Sequence, residues 1–261
     1  MSELLEFNND IMEVIVSKLD PDSHLIVGLT CKELYKILKT TNDNKKLSGS
    51  LKYLTSTLSL LKYAHNNGCL MNELTIDKII SKSNEPLECL KYAHENDCPL
   101  PPHICNFAAS NGHLECLKYL HENGCDWSEK TCYLATENGH LECLKYLHEN
   151  GCSWNEWTCA YAAFNGHLEC LKYAHENGCP WPQSICYGTT KYGHLECLKY
   201  LHENGCPWHE WTCDAAAEGG YLECLKYAHE NGCPWSEWIP HLAAGNGHLE
   251  CLKYAHENGC P

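Results

Sequence analysis

Between His113 and Gly124 the apolar and polar residues follow a helical spacing. At about 100° per residue, Leu114, Cys116, Leu117, Leu120 and His121 share one sector of roughly 160°, and Glu115, Lys118, Tyr119 and Glu122 fill the rest. The pattern predicts an amphipathic helix of about three turns. Asn123-Gly124 closes it, because glycine takes the left-handed conformation that ends a helix without steric cost. Asp97 replaces that glycine in one copy, and Asp tolerates the left-handed region better than most residues. In the same copy Pro86 stands in the slot of His113, where the fixed φ of proline suits a first turn. A shorter helix is expected ahead of each of these. Thr131-Cys-Tyr-Leu-Ala-Thr-Glu-Asn138-Gly139 opens on a capping-type Thr and stops at Asn-Gly. Its small residues, such as Ala135, Ala162, Ala163 and Ala216, let two helices approach closely.

The phrase Cys116-Leu-Lys-Tyr-Leu-His-Glu-Asn-Gly-Cys125 returns every 27 residues, at Cys143, Cys170, Cys197, Cys224 and Cys251. Earlier copies stand at Cys89 and, in degraded form, at Leu60. A fixed period in this range marks a solenoid, in which each unit buries its apolar face only against its neighbours. The expected fold is an all-α helical-repeat solenoid with degenerate units over 41–99 and six regular units over 100–261. Trp127, Trp154, Trp181, Trp208 and Trp235 recur at each step and are expected in the core between units.

Some positions vary while the scaffold repeats. The first and fifth residues after the first-helix cysteine lie four apart and share a face. They include Tyr133 and Glu137, Ala160 and Phe164, Tyr187 and Lys191, Asp214 and Glu218, and His241. Trp157, Trp211 and Trp238 vary in the loops beside them. Exposed aromatics among acids make the expected target-binding stripe, since Trp and Tyr dominate interaction hot spots. Neutral drift at solvent positions is the alternative.

Charge and cysteine content narrow the classes. The chain has 19 lysines and no arginine against 34 acids, and beyond residue 60 there are 26 acids and 12 lysines. Nucleic-acid binding needs cations that displace counterions from phosphates, so it is not expected. The 21 cysteines would suggest a disulfide scaffold in a secreted chain. However, the acidic stretch from Met1 to Asp10 lacks the apolar core of a signal peptide, and the cysteine count is odd. All but Cys31 sit at recurring packing positions, so reduced core thiols in a cytoplasmic compartment are expected. No run approaches the roughly 18 apolar residues of a membrane span. Zinc is a poor fit, because the first-turn His of the His113 and Cys116 pair becomes Pro86 or Tyr221 in other units while the cysteine stays. Cys and His pairs in every unit are periodic, whereas an active site is one constellation, and no GxxxxGK[ST] loop occurs. No catalytic, cofactor or metal residue is therefore assigned, and a monomeric, non-enzymatic binding protein is expected.

The segment Asn165-Gly-His-Leu-Glu-Cys-Leu-Lys-Tyr-Ala-His-Glu-Asn-Gly178 resembles the second half of an ankyrin repeat, with Cys170 and Leu171 at its Val pair and Ala174 and His175 at its Leu pair. The likeness covers about 60–261. Two features depart from the pattern: Trp157-Thr-Cys-Ala160 replaces the usual Thr-Pro-Leu-His, and the unit is about six residues short of 33. The resemblance implies an ankyrin-like array with trimmed hairpin fingers, of the kind common in giant DNA viruses, that binds a protein target.

Residues 1–40 read differently. Phe7-Asn-Asn-Asp-Ile-Met-Glu-Val-Ile-Val-Ser-Lys-Leu-Asp20 and the following Ser23 to Leu34 resemble an F-box through Ile11, Ile15, Leu19, Asp20, Leu25 and Cys31. Asn8 stands where proline is usual, and the Trp after the cysteine is absent. The resemblance implies docking through Phe7, Ile11, Ile15, Leu19 and Leu25 onto a Skp-family adaptor of a cullin-RING ubiquitin ligase, with the array at 41–261 recruiting the target. Met12, Val14 and Val16 add more apolar surface than one buried face requires. The alternative is a polar helical cap on a plain binding array. At the other end the chain stops at Gly259-Cys260-Pro261, inside the repeat phrase, so either the last helix pair has an open face or the array continues.

Overall fold

The structure, a computed structural model, describes residues 57–66 and 71–260. The expected adaptor-docking residues Phe7, Ile11, Ile15, Leu19 and Leu25 lie outside these. The described residues contain fifteen α-helices and no strand. They fall into two compact units, one ending at Ile104 and one beginning at Cys105.

The first unit holds α1 (Leu58–Asn66), α2 (Glu73–Lys82) and α3 (Pro86–Glu95). Helix α2 buries Ile76, Ile79 and Ile80, and α3 buries Cys89, Leu90 and Ala93. A reciprocal cap starts α2: the Thr75 N–H donates to Asn72 Oδ1 at 3.2 Å, and the Asn72 N–H donates to Thr75 Oγ1 at 3.1 Å. Pro86 occupies the first turn of α3, and Asp97 adopts φ 60° after it, in the glycine slot.

Six helix pairs make up the second unit, the first residue of the first helix, Ile104, being the last of the first unit. They are α4 (Ile104–Ser110) with α5 (Leu114–Glu122), α6 (Glu129–Glu137) with α7 (Leu141–Glu149), and α8 (Glu156–Phe164) with α9 (Leu168–Glu176). Then follow α10 (Ile185–Lys191) with α11 (Leu195–Glu203), α12 (Thr212–Gly219) with α13 (Leu222–Glu230), and α14 (Ile239–Gly245) with α15 (Leu249–Glu257). First helices pack in one row from α6 to α14, and second helices in another from α5 to α15. Each second helix turns the same face inward: Cys116, Leu117 and Leu120 in α5, Cys143, Leu144 and Leu147 in α7. The small residues Ala135, Ala162, Ala163 and Ala216 are fully buried where the helices meet.

Two expectations change. First, α6 and α8 begin two residues before Thr131 and Thr158, after Ser128 and Asn155. Thr131 is therefore an inner partner of the cap, accepting the Ser128 N–H at 3.1 Å, and Glu129 and Glu156 complement the helix dipole at the new start. Second, Trp127 and its repeats are half-buried at the loop edge instead of lying in the core between units. Alanine and cysteine already fill the close approach between helices and leave no room for an indole. Each Trp instead lies on the His that ends its second helix, with ring centroids 3.9 Å apart for His121 and Trp127 and 4.0 Å for His175 and Trp181. The tyrosine of the next unit meets the same His: Tyr146 Oη is 3.1 Å from His121 Nδ1, and Tyr173 Oη is 3.0 Å from His148 Nδ1. The result is a polar and aromatic ladder that ties successive units together.

The Gly-His step forms a second tie. Gly139 adopts φ 74°, and a Cβ there would lie 2.6 Å from Nδ1 of His167 in the next unit. With the glycine in place, His167 Nε2 sits 3.1 Å from the Glu137 carbonyl, which accepts its proton. Tyr221 plays the packing part of this histidine against Gly193.

Candidate interaction surface

The first helices and the loops before them carry the variable residues. A buried Thr-Cys or Ile-Cys pair (Thr131-Cys132, Thr158-Cys159, Ile185-Cys186, Thr212-Cys213) faces inward near the start of the first helices, and this turns the position after the cysteine toward the rim of the helix row. Tyr133, Tyr187 and Asp214 are half-buried there, whereas Ala160 is too short to reach the surface and is fully buried. The tryptophans at the helix starts reach furthest: Trp157 is 47% exposed, Trp211 54% and Trp238 58%, and Trp157, expected in a loop, lies in the first turn of α8 because the helix begins at Glu156.

The aromatic residues gather in clusters. Tyr133 stacks on Tyr161 at 5.2 Å, with Trp157 6.0 Å from Tyr161. Phe164 lies 6.2 Å from Tyr192 and directly over Gly188, where a Cβ would fall 2.2 Å from its ring. Tyr187, His209 and Trp211 form a third group, with centroids 5.1 to 6.3 Å apart. The Trp211 N–H donates to His209 Nδ1 at 3.3 Å and so fixes that turn. Trp238 and His241 form a fourth at 5.9 Å.

Of the charged positions in the expected stripe, Lys191 and Glu218 are exposed and Glu137 is half-buried. Asp214 is taken up by the scaffold, since its carboxylate accepts the Ser236 hydroxyl of the next unit at 2.5 Å. Exposed Glu129, Glu156, Glu210 and Glu237 at the loop ends make the surroundings acidic. Tyr161, Tyr192 and His209 join the clusters without having been expected. Each departs from its counterpart in the neighbouring unit (Leu134, Asn165 and Pro182), so variation between units was the signal that could have found them.

This surface has the groups for holding another protein: large rings half-exposed on a rigid helix row, with acids beside them. Among the described residues no group of three or more His, Cys, Asp or Glu could hold a metal ion, and no helix is long and apolar enough to cross a membrane.

Comparison with known proteins agrees with this architecture. Residues 56–156 and 105–185 match a family model described as ankyrin repeats (3 copies), and residues 213–256 match one described as ankyrin repeats (many copies). The chain belongs to the ankyrin-repeat family. Among solved structures it is similar to the human ASB11 ankyrin repeat domain, at 23% identity and a TM-score of 0.54, covering 60% of this chain and 84% of that one. No curated protein gives a significant match. Relative to a standard ankyrin unit, the connections among the described residues, such as Cys125 to Ser128, contain no hairpin, which accounts for the 27-residue period.

Proposed function

We propose that this ankyrin-repeat protein recruits a target protein and presents it to a cullin-RING ubiquitin ligase. The array supplies the target site, and residues 1–40 bind a Skp-family adaptor through Phe7, Ile11, Ile15, Leu19 and Leu25. The observation that supports the array's part is the row of aromatic clusters on the first-helix face, from Tyr133 and Trp157 to Trp211 and Trp238. Its acidic surroundings suit a target segment that offers apolar side chains together with basic ones. The F-box-like spacing of Ile11, Ile15 and Leu19 supports the adaptor's part. The protein works as a monomer in the reducing cytoplasm, without a cofactor, and the short finger-free unit favours a giant-virus origin.

A pull-down from cell extract with the full chain tests the link. The wild type is expected to recover a Skp-family adaptor, and Ile11→Asp with Leu19→Asp to lose it while keeping the target. Failure of the wild type to recover any adaptor overturns the ligase role and leaves a binding scaffold. On the array, Trp157→Ala and Trp211→Ala are each expected to cost about 2 kcal/mol of target binding, roughly 30-fold in affinity.

A further inference from the structure

A separate set of residues has no part in the aromatic face. Five units carry a cysteine in the first helix and another twenty residues later, just past the end of the second: Cys105 and Cys125, Cys132 and Cys152, Cys159 and Cys179, Cys186 and Cys206, Cys213 and Cys233. In two of these the sulfurs touch. Cys132 Sγ and Cys152 Sγ are 3.0 Å apart, as are Cys186 Sγ and Cys206 Sγ. That is about 1 Å longer than a disulfide bond.

The two thiols of a pair differ. Cys132 donates its S–H to Cys152, which stabilises a thiolate at Cys152 and holds its pKa below the ordinary value, and Cys186 does the same for Cys206; Cys179 and Cys233 are lowered in the same way by Cys159 and Cys213, and the 3.0 Å sulfur contact sets the first two pairs apart. Access differs as well at the first pair. Cys152 is 5% exposed and borders an open cavity of about 240 Å³ together with His121, Cys125, Asp126, Trp127 and Ser153, while Cys206 of the second pair is buried at 2%. Cys132 lies behind Cys152, fully buried. The second-helix cysteines form another class. Burial pushes Cys143 and Cys170 up to about 11 and Cys197 up to about 12, so these thiols, like Cys132 whose pKa is also raised, do not open the attack on a peroxide; Cys132 acts only as the second thiol, against the sulfur it already touches.

We propose that the pairs Cys132 with Cys152 and Cys186 with Cys206 are reversible dithiol sites, at which a peroxide converts the helix pair into a covalently closed form. The Cys152 thiolate attacks one peroxide oxygen, an S–O bond forms as the O–O bond breaks, and the departing hydroxide leaves as water after taking a proton. The resulting sulfenic acid is then attacked by the Cys132 sulfur. An S–S bond forms, the S–O bond breaks, and the hydroxyl leaves as water with the Cys132 proton. Two thiols and hydrogen peroxide thus give one disulfide and two waters, and the peroxide oxygens take up the two electrons. A dithiol reductant reverses the change by exchange. The bond ties the start of the first helix to the end of the second, so unfolding of that unit is opposed. Two other units supply natural contrasts, since Ile76 and Pro240 stand in the first-helix cysteine slot there.

The test uses the full chain and needs neither adaptor nor target. The protein is exposed to a small molar excess of hydrogen peroxide, free thiols are alkylated, and disulfide-linked peptides are mapped. Links joining Cys132 to Cys152 and Cys186 to Cys206 are expected within single molecules, with Cys143, Cys170 and Cys197 still alkylated. A rise in melting temperature that dithiothreitol reverses is expected with them. Cys132→Ala with Cys186→Ala should abolish both links and the rise. Should that variant not fold, the map of wild-type links decides the matter alone. Links between molecules, over-oxidation without disulfides, or second-helix thiols reacting as fast as Cys152 would each overturn the proposal.

Discussion

Replacing Gly139 by alanine probes the tie between units most directly, because Gly151 provides a matched control. Both glycines have positive φ, 74° and 82°. An alanine in the left-handed region costs about 1–2 kcal/mol at either site. At Gly151 a Cβ meets nothing within 4 Å, so that cost is all there is. At Gly139 the Cβ would lie 2.6 Å from His167 Nδ1, and the ring has to move. Moving it gives up the bond from Nε2 to the Glu137 carbonyl, about 1 kcal/mol, and adds an overpacking cost of about 1–3 kcal/mol. Gly139→Ala should then destabilise by about 3–6 kcal/mol and Gly151→Ala by about 1–2 kcal/mol. Any gain from a stiffer unfolded chain is common to both and cancels in the difference. Urea unfolding followed by circular dichroism reads the gap: at a slope of about 3 kcal/mol per molar, the midpoints should differ by about 1 M. Trimming the ring with His167→Ala should recover part of the Gly139→Ala loss, a non-additivity expected of two groups in contact. Midpoints for Gly139→Ala and Gly151→Ala that agree within about 0.2 M would show that the histidine does not lock onto the glycine.

Two further outcomes follow from the ties between units. Tyr173→Phe removes the hydroxyl that sits 3.0 Å from His148 Nδ1 and should lower stability by about 1 kcal/mol in thermal unfolding; a variant as stable as the wild type would show that the ladder's hydrogen bonds are replaced by water at no loss. His140 and His194 have pKa values held below the ordinary histidine value, first by burial. Because the unfolded chain binds protons more readily at these sites, stability should be full above the unfolded value of about 6.5 and decline as pH falls through it. The melting temperature should therefore be lower at about pH 5.5 than at about pH 7.5. His140→Tyr, which copies Tyr221 in the equivalent slot, should weaken that dependence, and an unchanged pH profile would count against the burial of His140 as its source.

Much of the fold was legible because it is written in short-range chemistry. The Leu117 and Leu120 face, the Gly124 stop and the tolerance of Asp97 at φ 60° all follow from residues within a few positions of one another. The start of the first helix was less legible, because Thr131 and Ser128 both carry capping hydroxyls and only the backbone path decides which leads. Trp127 departs from its expected core position for a different reason. Periodicity says that a residue matters to the stack, but it cannot say whether an indole fits between helices already closed by alanine and cysteine. Of the expected stripe, Trp157, Trp211 and Trp238 are exposed, Trp157 from the first turn of α8 and not from a loop, while Asp214 is bonded to Ser236 from the next unit.

The sequence by itself determined a row of paired helices with a 27-residue period, since helical periodicity and left-handed glycine stops depend only on neighbours along the chain. Tertiary structure alone decided which groups meet across 20 to 30 residues: Phe164 over Gly188, His167 against Gly139, Cys132 on Cys152, and Tyr133 on Tyr161. Those contacts depend on the rotation and separation of packed helices. Differences of an ångström or two decide whether they form, and a pattern of residue types does not carry that distance.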